Sequence, residues 1–94
     1  MVGGVDNFGA PAPYAPPVKR SVTIAGHATA ISLEPIFWDA LRAAADARAL
    51  PVNALIARID VDRMAVSDPP NLTSAIRCWL LALSLEAASQ NHSQ

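Results

Sequence analysis

The segment from residue 19 to residue 33 constrains the fold most, because its apolar residues alternate with polar ones as in a β-strand. The alternating apolar residues are Val22, Ile24, Ile31 and Leu33. A period of two is typical of a strand with one buried face. Gly26 interrupts the segment, as a turn or a bulge does. Two geometries remain open: one long strand with a break, or a tight hairpin that turns near Gly26 and His27.

A strand of this kind needs a partner strand. An unpaired strand leaves its N–H and C=O groups without hydrogen bonds, and an isolated two-stranded hairpin is marginal in water. The sequence contains no second strand-like segment outside residues 19–33. We therefore expect a second copy of the chain to supply the same strand, which predicts a homodimer with an antiparallel ribbon across a two-fold axis.

The period becomes helical after the strand segment. Pro35 suits the first position of a helix, and this helix is expected to end at Leu50-Pro51. A second helix is predicted over residues 52–63. Asn71 offers an N-cap for a third helix over residues 72–88.

The third helix is apolar on nearly every side, which predicts that it is buried on more than one face. Within it, Cys78 is expected to be a small buried side chain. Trp38 and Trp79 are expected in the core or in a dimer interface. Arg77 could pair with an acid such as Asp60 or Asp62, or reach a phosphate, and its position in the helix favours the structural role.

The sequence divides into a domain and two short ends. Residues 1–18 contain four of the eight prolines and three of the four glycines, which predicts a disordered arm that offers a possible contact to a protein partner. The domain is expected over residues 19–88, and residues 89–94 are expected to form a frayed polar tail.

Several functional classes are excluded by composition and motifs. A single cysteine in 94 residues allows neither an internal disulfide nor a cysteine-based metal cluster. The chain has no glycine-rich nucleotide loop and no His/Cys/Asp/Glu spacing typical of a metal site, so we expect no enzyme, no cofactor and no metal. The longest apolar run is far too short to span a membrane. A cytoplasmic protein that does not bind membranes is expected.

Three stretches of the sequence form a combined pattern: KRSVTIAGHATAISLEPIFWDALRAAA (19–45), LIARID (55–60) and NLTSAIRCWLL (71–81). Together they resemble the ribbon-helix-helix proteins, and more narrowly a small bacterial subgroup known mainly as probable DNA-binding domains. The resemblance implies a mainly α fold with a short β ribbon, as a dimer with an additional C-terminal helix. It further implies a transcriptional regulator whose paired strands enter the major groove of double-stranded DNA.

The candidate contacts follow from strand alternation and helix electrostatics. If Ile31 and Leu33 face the helices, Ala28, Ala30 and Ser32 face outward, and the B-DNA major groove admits a two-stranded ribbon. The segment 19–33 carries two cations and no acid, and both cations are expected on one face of the ribbon. The expected DNA-binding residues are Lys19, Arg20, Ser21, Thr23, His27, Thr29, Ser32, Val52 and Asn53. Lys19, Arg20 and the amides at the start of the second helix are expected to hold phosphates.

Two other functions are compatible with the same sequence. One is an antitoxin-like DNA-binding protein that neutralises a toxin partner. The other is a dimeric protein-interaction module that does not bind DNA, which the outward alanines and the formal net charge of −1 would allow.

Overall fold

A computed structural model describes residues 14–91 as a β-hairpin followed by three helices. The elements are β1 (Val18–Ile24), β2 (His27–Leu33), α1 (Pro35–Ala47), α2 (Val52–Met64) and α3 (Leu72–Asn91). β1 and β2 pair antiparallel in a two-stranded sheet, from Val18 opposite Leu33 to Ile24 opposite His27. The hairpin geometry is therefore confirmed. The prediction that another copy supplies the partner of residues 19–33 is wrong, because the two halves of this segment pair with each other.

A two-residue turn makes this pairing within the chain possible. Ala25 and Gly26 connect the strands with φ angles of 52° and 82°. Positive φ at both positions is the mark of a type I′ turn, whose twist matches that of the flanking strands. Glycine adopts such angles without cost, whereas an alanine does so against steric repulsion.

One face of the hairpin forms part of the hydrophobic core. Val22, Ile31 and Leu33 are buried there against the three helices. The rest of the core consists of Trp38, Leu41, Ala44, Ala45, Leu55, Ile56, Ile59, Ile76 and Leu80. Because a free hairpin is marginal, this packing holds the ribbon in place.

The first helix ends earlier than predicted. α1 stops at Ala47, and Ala49 has a φ angle of 54° in the left-handed region. The N–H of Leu50 donates to the carbonyl of Ala45 at 2.9 Å, so the chain turns back on the last helical turn before it reaches Pro51. A left-handed residue commonly ends a helix in this way, although it is usually glycine.

The third helix begins as predicted. The side-chain Oδ1 of Asn71 accepts a hydrogen bond from the N–H of Ser74 at 2.8 Å, which confirms the N-cap. The helix continues to Asn91. The prediction of a frayed tail over residues 89–94 is therefore wrong for residues 89–91. Residues 92–94 and residues 1–13 of the predicted arm lie outside the described residues.

The burial predicted for α3 holds for only part of its surface. Trp38 is buried and Trp79 packs partly buried against the core, as predicted. Cys78, Leu81 and Leu85 are exposed instead. Within a single chain their predicted burial is not observed, because the body of the domain covers only the opposite face of the helix. Burial of this face against a partner subunit stays a prediction. No helix among the described residues has the length and apolar character needed to cross a membrane.

The left-handed turn residue gives a test of the hairpin. We expect Ala25→Asn to raise the stability by about 0.5–1 kcal/mol, because asparagine tolerates positive φ and Asn-Gly favours the type I′ turn. Ala25→Val is expected to lower the stability, because a branched side chain is strained at this angle. Thermal unfolding of both variants at equal protein concentration measures the effect. A lower melting temperature for the asparagine variant than for wild type would contradict the turn assignment.

Candidate nucleic-acid interface

The side of the hairpin that faces away from the core is small, polar and free of acidic residues. Directly opposed strand residues share a face, and the three pairs on this outer face are Lys19–Ser32, Ser21–Ala30 and Thr23–Ala28. The predicted outward orientation of Ala28, Ala30 and Ser32 is therefore confirmed. Lys19 carries the only charge among these six residues.

The two cations of the ribbon lie on opposite faces. Lys19 belongs to the outer face, whereas Arg20 pairs with Ile31 on the core-facing side. The guanidinium carbon of Arg20 lies 5.4 Å from the centre of the Trp38 ring, within the range of a cation–π contact. The expectation of a single positive face is wrong, because neighbouring strand residues point to opposite sides.

Trp38 joins the ribbon to α1. Its side chain is 3% exposed, and its Nε1–H donates to the carbonyl of Val18 at 2.9 Å. The same ring supports the guanidinium of Arg20. One aromatic side chain thus fixes the start of β1 and orients a cation beside it.

Arg20 lies in a concavity between β1, α1 and the start of α2, which we name the clamp pocket. It has a volume of about 230 Å³ and is lined by Arg20, Ser21, Val22, Trp38, Arg42, Val52 and Asn53. Four of the predicted DNA-binding residues are therefore brought together: Arg20, Ser21, Val52 and Asn53. Two arginines and no acid belong to this lining, so the pocket suits an anion.

The two arginines of the clamp pocket differ in their partners. Arg42, which the sequence analysis missed, hydrogen-bonds the carboxylate of Asp39 one helical turn away. Arg20 has no ion-pair partner among residues 14–91. Arg20 therefore provides the uncompensated positive charge of the pocket. The i, i+3 spacing of Asp39 and Arg42 in a helix was the signal available for their pairing.

The N-terminus of α2 adds backbone donors to the pocket. Pro51 occupies the N-cap and makes no side-chain capping bond, and the first turn contains no acid. The N–H groups at this end carry the positive end of the helix dipole, which attracts phosphate. α3 differs, since Asn71 already caps one of its first amides.

Two further predicted residues lie apart from this pocket. His27 and Thr29 are on the core-facing side of β2, opposite Ile24 and Val22, and both are exposed. Neither lines the clamp pocket. They are accessible near the turn of the hairpin.

A salt bridge that the sequence analysis missed ties α3 to the junction of β2 and α1. Arg77 donates from Nη2 to Oε1 of Glu34 at 2.9 Å, and its guanidinium lies over the Phe37 ring. The structural role predicted for Arg77 is confirmed, but the expected partners are wrong, because Asp60 pairs with Arg63. The hydrogen bond from Arg77 holds the pKa of Glu34 below its ordinary value of 4.5.

The hairpin has an acid-free outer face and lies beside the N-terminus of α2, which has no side-chain cap, and β-ribbon DNA readers have a hairpin or ribbon of this kind. The model of the ribbon-helix-helix domain family matches residues 17–83. The chain therefore belongs to the ribbon-helix-helix family, which is typically a non-enzymatic DNA-binding fold of regulators and antitoxins. No curated protein and no solved structure matches the chain significantly.

The described residues contain no cluster of potential metal ligands. Within residues 14–91, no group of three or more His, Cys, Asp or Glu side chains is close enough to hold a metal ion.

The Glu34–Arg77 bridge predicts a specific dependence of stability on pH. The pKa of Glu34 is lower in the folded chain than in the unfolded chain. The bridge therefore stabilises the fold above about pH 4.5, and this contribution is lost as the pH falls through the folded-state pKa. Glu34→Gln should be less stable than wild type at pH 7, and the difference should shrink on acidification.

Chemical denaturation between pH 3 and pH 7 tests this expectation. Asp68→Asn, in the exposed segment between α2 and α3, serves as the control and should show no comparable convergence. A constant difference between wild type and the Glu34 variant across this range would refute the role of the bridge.

Proposed function

We propose that this protein is a transcriptional regulator that binds double-stranded DNA as a homodimer, with the ribbon in the major groove. One observation carries the proposal: the clamp pocket joins the unpaired Arg20 to the uncapped start of α2, directly beside the acid-free outer face of the ribbon. A phosphate in the pocket would meet a charged donor and backbone amides together. The outer face supplies small groups that can approach base edges.

The dimer contact is proposed at the free edge of β2. Each strand of the hairpin has one neighbour and one open edge. Two prolines precede β1, and Lys19 and Arg20 lie within it, which are features that protect an edge from pairing. β2 contains no proline and no lysine or arginine. Two copies that pair antiparallel through β2 would form a four-stranded sheet across a two-fold axis.

In this arrangement, β2 and β1 would contact different parts of the DNA. The major groove is about 12 Å wide and admits two strands, so the central β2 pair would occupy it. Ser32 would reach base edges as a hydrogen-bonding group, and the methyl groups of Ala28 and Ala30 would meet thymine methyl groups. Each β1 would lie about 5 Å further out, towards the sugar–phosphate backbone. The ammonium of Lys19 would then contact phosphate from the outer face, while Arg20 and the α2 amides contact phosphate from the pocket.

The proposed function predicts a strong and specific salt dependence. Lys19→Ala/Arg20→Ala should weaken DNA binding for all sequences by about tenfold or more near 0.1 M salt. The plot of log K against log salt concentration has a negative slope, and the magnitude of this slope should decrease by roughly four for a dimer, one for each lost phosphate contact. Fluorescence anisotropy with random and operator-like duplexes at several salt concentrations measures both quantities.

Arg48→Ala provides a control for the loss of a cation outside the clamp pocket; it removes one positive charge per chain, where the double variant removes two. Arg48 follows the last residue of α1 and lies over the Trp79 ring, away from the clamp pocket. Its removal should leave the salt slope nearly unchanged. Unaltered binding by the double variant would refute the phosphate contacts. Absence of binding by wild type at micromolar concentration and low salt would favour the interaction module without DNA binding.

The β2 contact predicts an effect of proline at the strand edge. Hydrogen-bonded pairs alternate with non-hydrogen-bonded pairs along an antiparallel ladder. Counted from the hydrogen-bonded pair Ile24–His27, which closes the turn, the pair Ser21–Ala30 is a non-hydrogen-bonded one, so the N–H of Ala30 points away from β1. Ala30→Pro therefore removes an edge donor and should lower the dimerisation affinity, while the hairpin bonds remain. Sedimentation velocity measures the dimerisation, and circular dichroism checks the fold. Ser21→Pro on β1 is the matched control, and an equal loss of dimer with both variants would contradict the β2 contact.

The antitoxin function differs from the proposed one in requiring a second protein. A stable complex with a small unrelated protein, isolated together with the chain, would favour it. The proposal also implies that the protein resides with DNA in the cytoplasm.

A further inference from the structure

The outward face of α3 carries an apolar strip that the proposed DNA contacts do not use. We define the α3 strip as Ser74, Cys78, Leu81, Leu85 and Ala88. These residues follow the 4-3-4-3 spacing of a coiled-coil seam, in which every member points to the same side of the helix. Leu81 is 60% exposed and Leu85 is 62% exposed.

The α3 strip is uncharged and borders an apolar groove. Arg77 and Glu86 are the two charged residues of α3, and neither belongs to the strip. On one side lies a groove of about 180 Å³ lined by Ile36, Phe37, Ala40, Leu80, Leu81 and Ser84. Ile36 at the rim of this groove is 51% exposed. Strip and groove form one apolar surface across α1 and α3.

We propose that the α3 strip is a second self-association surface, on which the α3 helix of another copy packs antiparallel. When two such helices run antiparallel, a residue at an a position of one seam lies against a residue at a d position of the other. Leu81 would therefore lie against Leu85 of the partner subunit, and Cys78 would lie level with Ala88 of the partner subunit. The two leucine pairs would lie on either side of the two-fold axis, and the smaller Cys78 and Ala88 side chains would lie further from the axis. The opposed helix dipoles favour this direction over the parallel one.

The size of the surface supports a second copy as its occupant. The exposed parts of Ile36, Leu81 and Leu85 amount to roughly 300 Å² per copy, which is the size of the largest apolar patch on a typical monomer, and such a patch is often functional. The strip extends over 15 residues, or about 21 Å of helix. With the alanines and the groove, two copies would bury on the order of 1,000 Å² in total, the lower range of specific interfaces.

The spacing of the strip also selects its occupant. A heptad seam is filled by a helix with matching heptad spacing, and α3 is such a helix. The sequence ahead of Tyr14 contains three glycines and two prolines, which are unfavourable within a helix, so its composition does not favour it as the heptad partner. The flanking residues Ala82 and Ser84 are small, which lets two α3 helices approach closely.

The α3 strip shares no residue with the β2 edge of the proposed dimer. A chain with two different two-fold contacts joins dimers into a tetramer or a longer chain. The α3 contact would therefore link two DNA-binding dimers. It also holds without DNA, so the two proposals can fail independently.

The oligomeric state of the full chain tests the α3 contact. Wild type should sediment above the dimer at concentrations of tens of micromolar, and Leu81→Glu/Leu85→Glu should remove the larger species. Val61→Glu/Met64→Glu is the matched control, because these α2 side chains are 69% and 59% exposed and receive the same charges. The control should sediment like wild type. Circular dichroism verifies that each variant is folded.

Each outcome of the sedimentation experiment decides between the contacts. If the strip variant sediments like wild type, the α3 contact is refuted. A loss of mass in the α2 control alone also refutes it. If the strip variant becomes a monomer while Ala30→Pro has no effect, the α3 contact stands and the β2 contact fails.

Cysteine cross-linking tests the helix direction without a charge change. In the antiparallel pair, the Ala88→Cys variant should form an interchain disulfide upon mild oxidation, between the introduced thiol of one copy and Cys78 of the other. Wild type should not cross-link readily, because the two Cys78 residues would lie about 15 Å apart along the helix axis. Efficient Cys78–Cys78 cross-linking in wild type would refute the antiparallel arrangement, and cross-links in neither protein would refute the contact.

Discussion

The burial of one face of the hairpin is the constraint on which the rest of the structure depends. Two strands alone are only marginally stable in water, and the packing of Val22, Ile31 and Leu33 against the helices stabilises them. The Trp38–Val18 hydrogen bond adds a directional contact to this packing. Because the side-chain period of a strand is two, fixing the inner face also fixes every residue on the outer face. Which residues form the outer surface is therefore a consequence of core packing on the other side.

The periodicity of the sequence predicted the strands and helices, but it did not predict whether the two strands of the ribbon come from one chain or from two. The alternation of residues 19–33 is the same whether the partner strand belongs to this chain or to another. The deciding feature is the left-handed conformation of Ala25, and alanine gives no sequence signal for that angle, unlike asparagine or glycine. The end of α1 was not predicted for the same reason, because the left-handed residue there is also an alanine, Ala49.

The candidate site was predictable where it depends on local pattern. Alternation correctly placed Ala28, Ala30 and Ser32 outward, and the same rule separates Lys19 from Arg20, although their adjacency in sequence suggested one patch. The Glu34–Arg77 bridge joins residues 43 positions apart, for which no local pattern exists. The exposure of Leu81 and Leu85 was unpredictable because apolar composition indicates burial without saying whether the cover belongs to the same chain.

The outward alanines of β2 give the ribbon an almost smooth profile. In the proposed complex, such a ribbon could sit close to the floor of the groove while forming few directional bonds with individual bases. Discrimination between operators would then arise mainly from how readily each duplex adapts its width and curvature to a rigid insert. Pyrimidine–purine steps, which deform most easily, would be favoured at positions that no side chain touches.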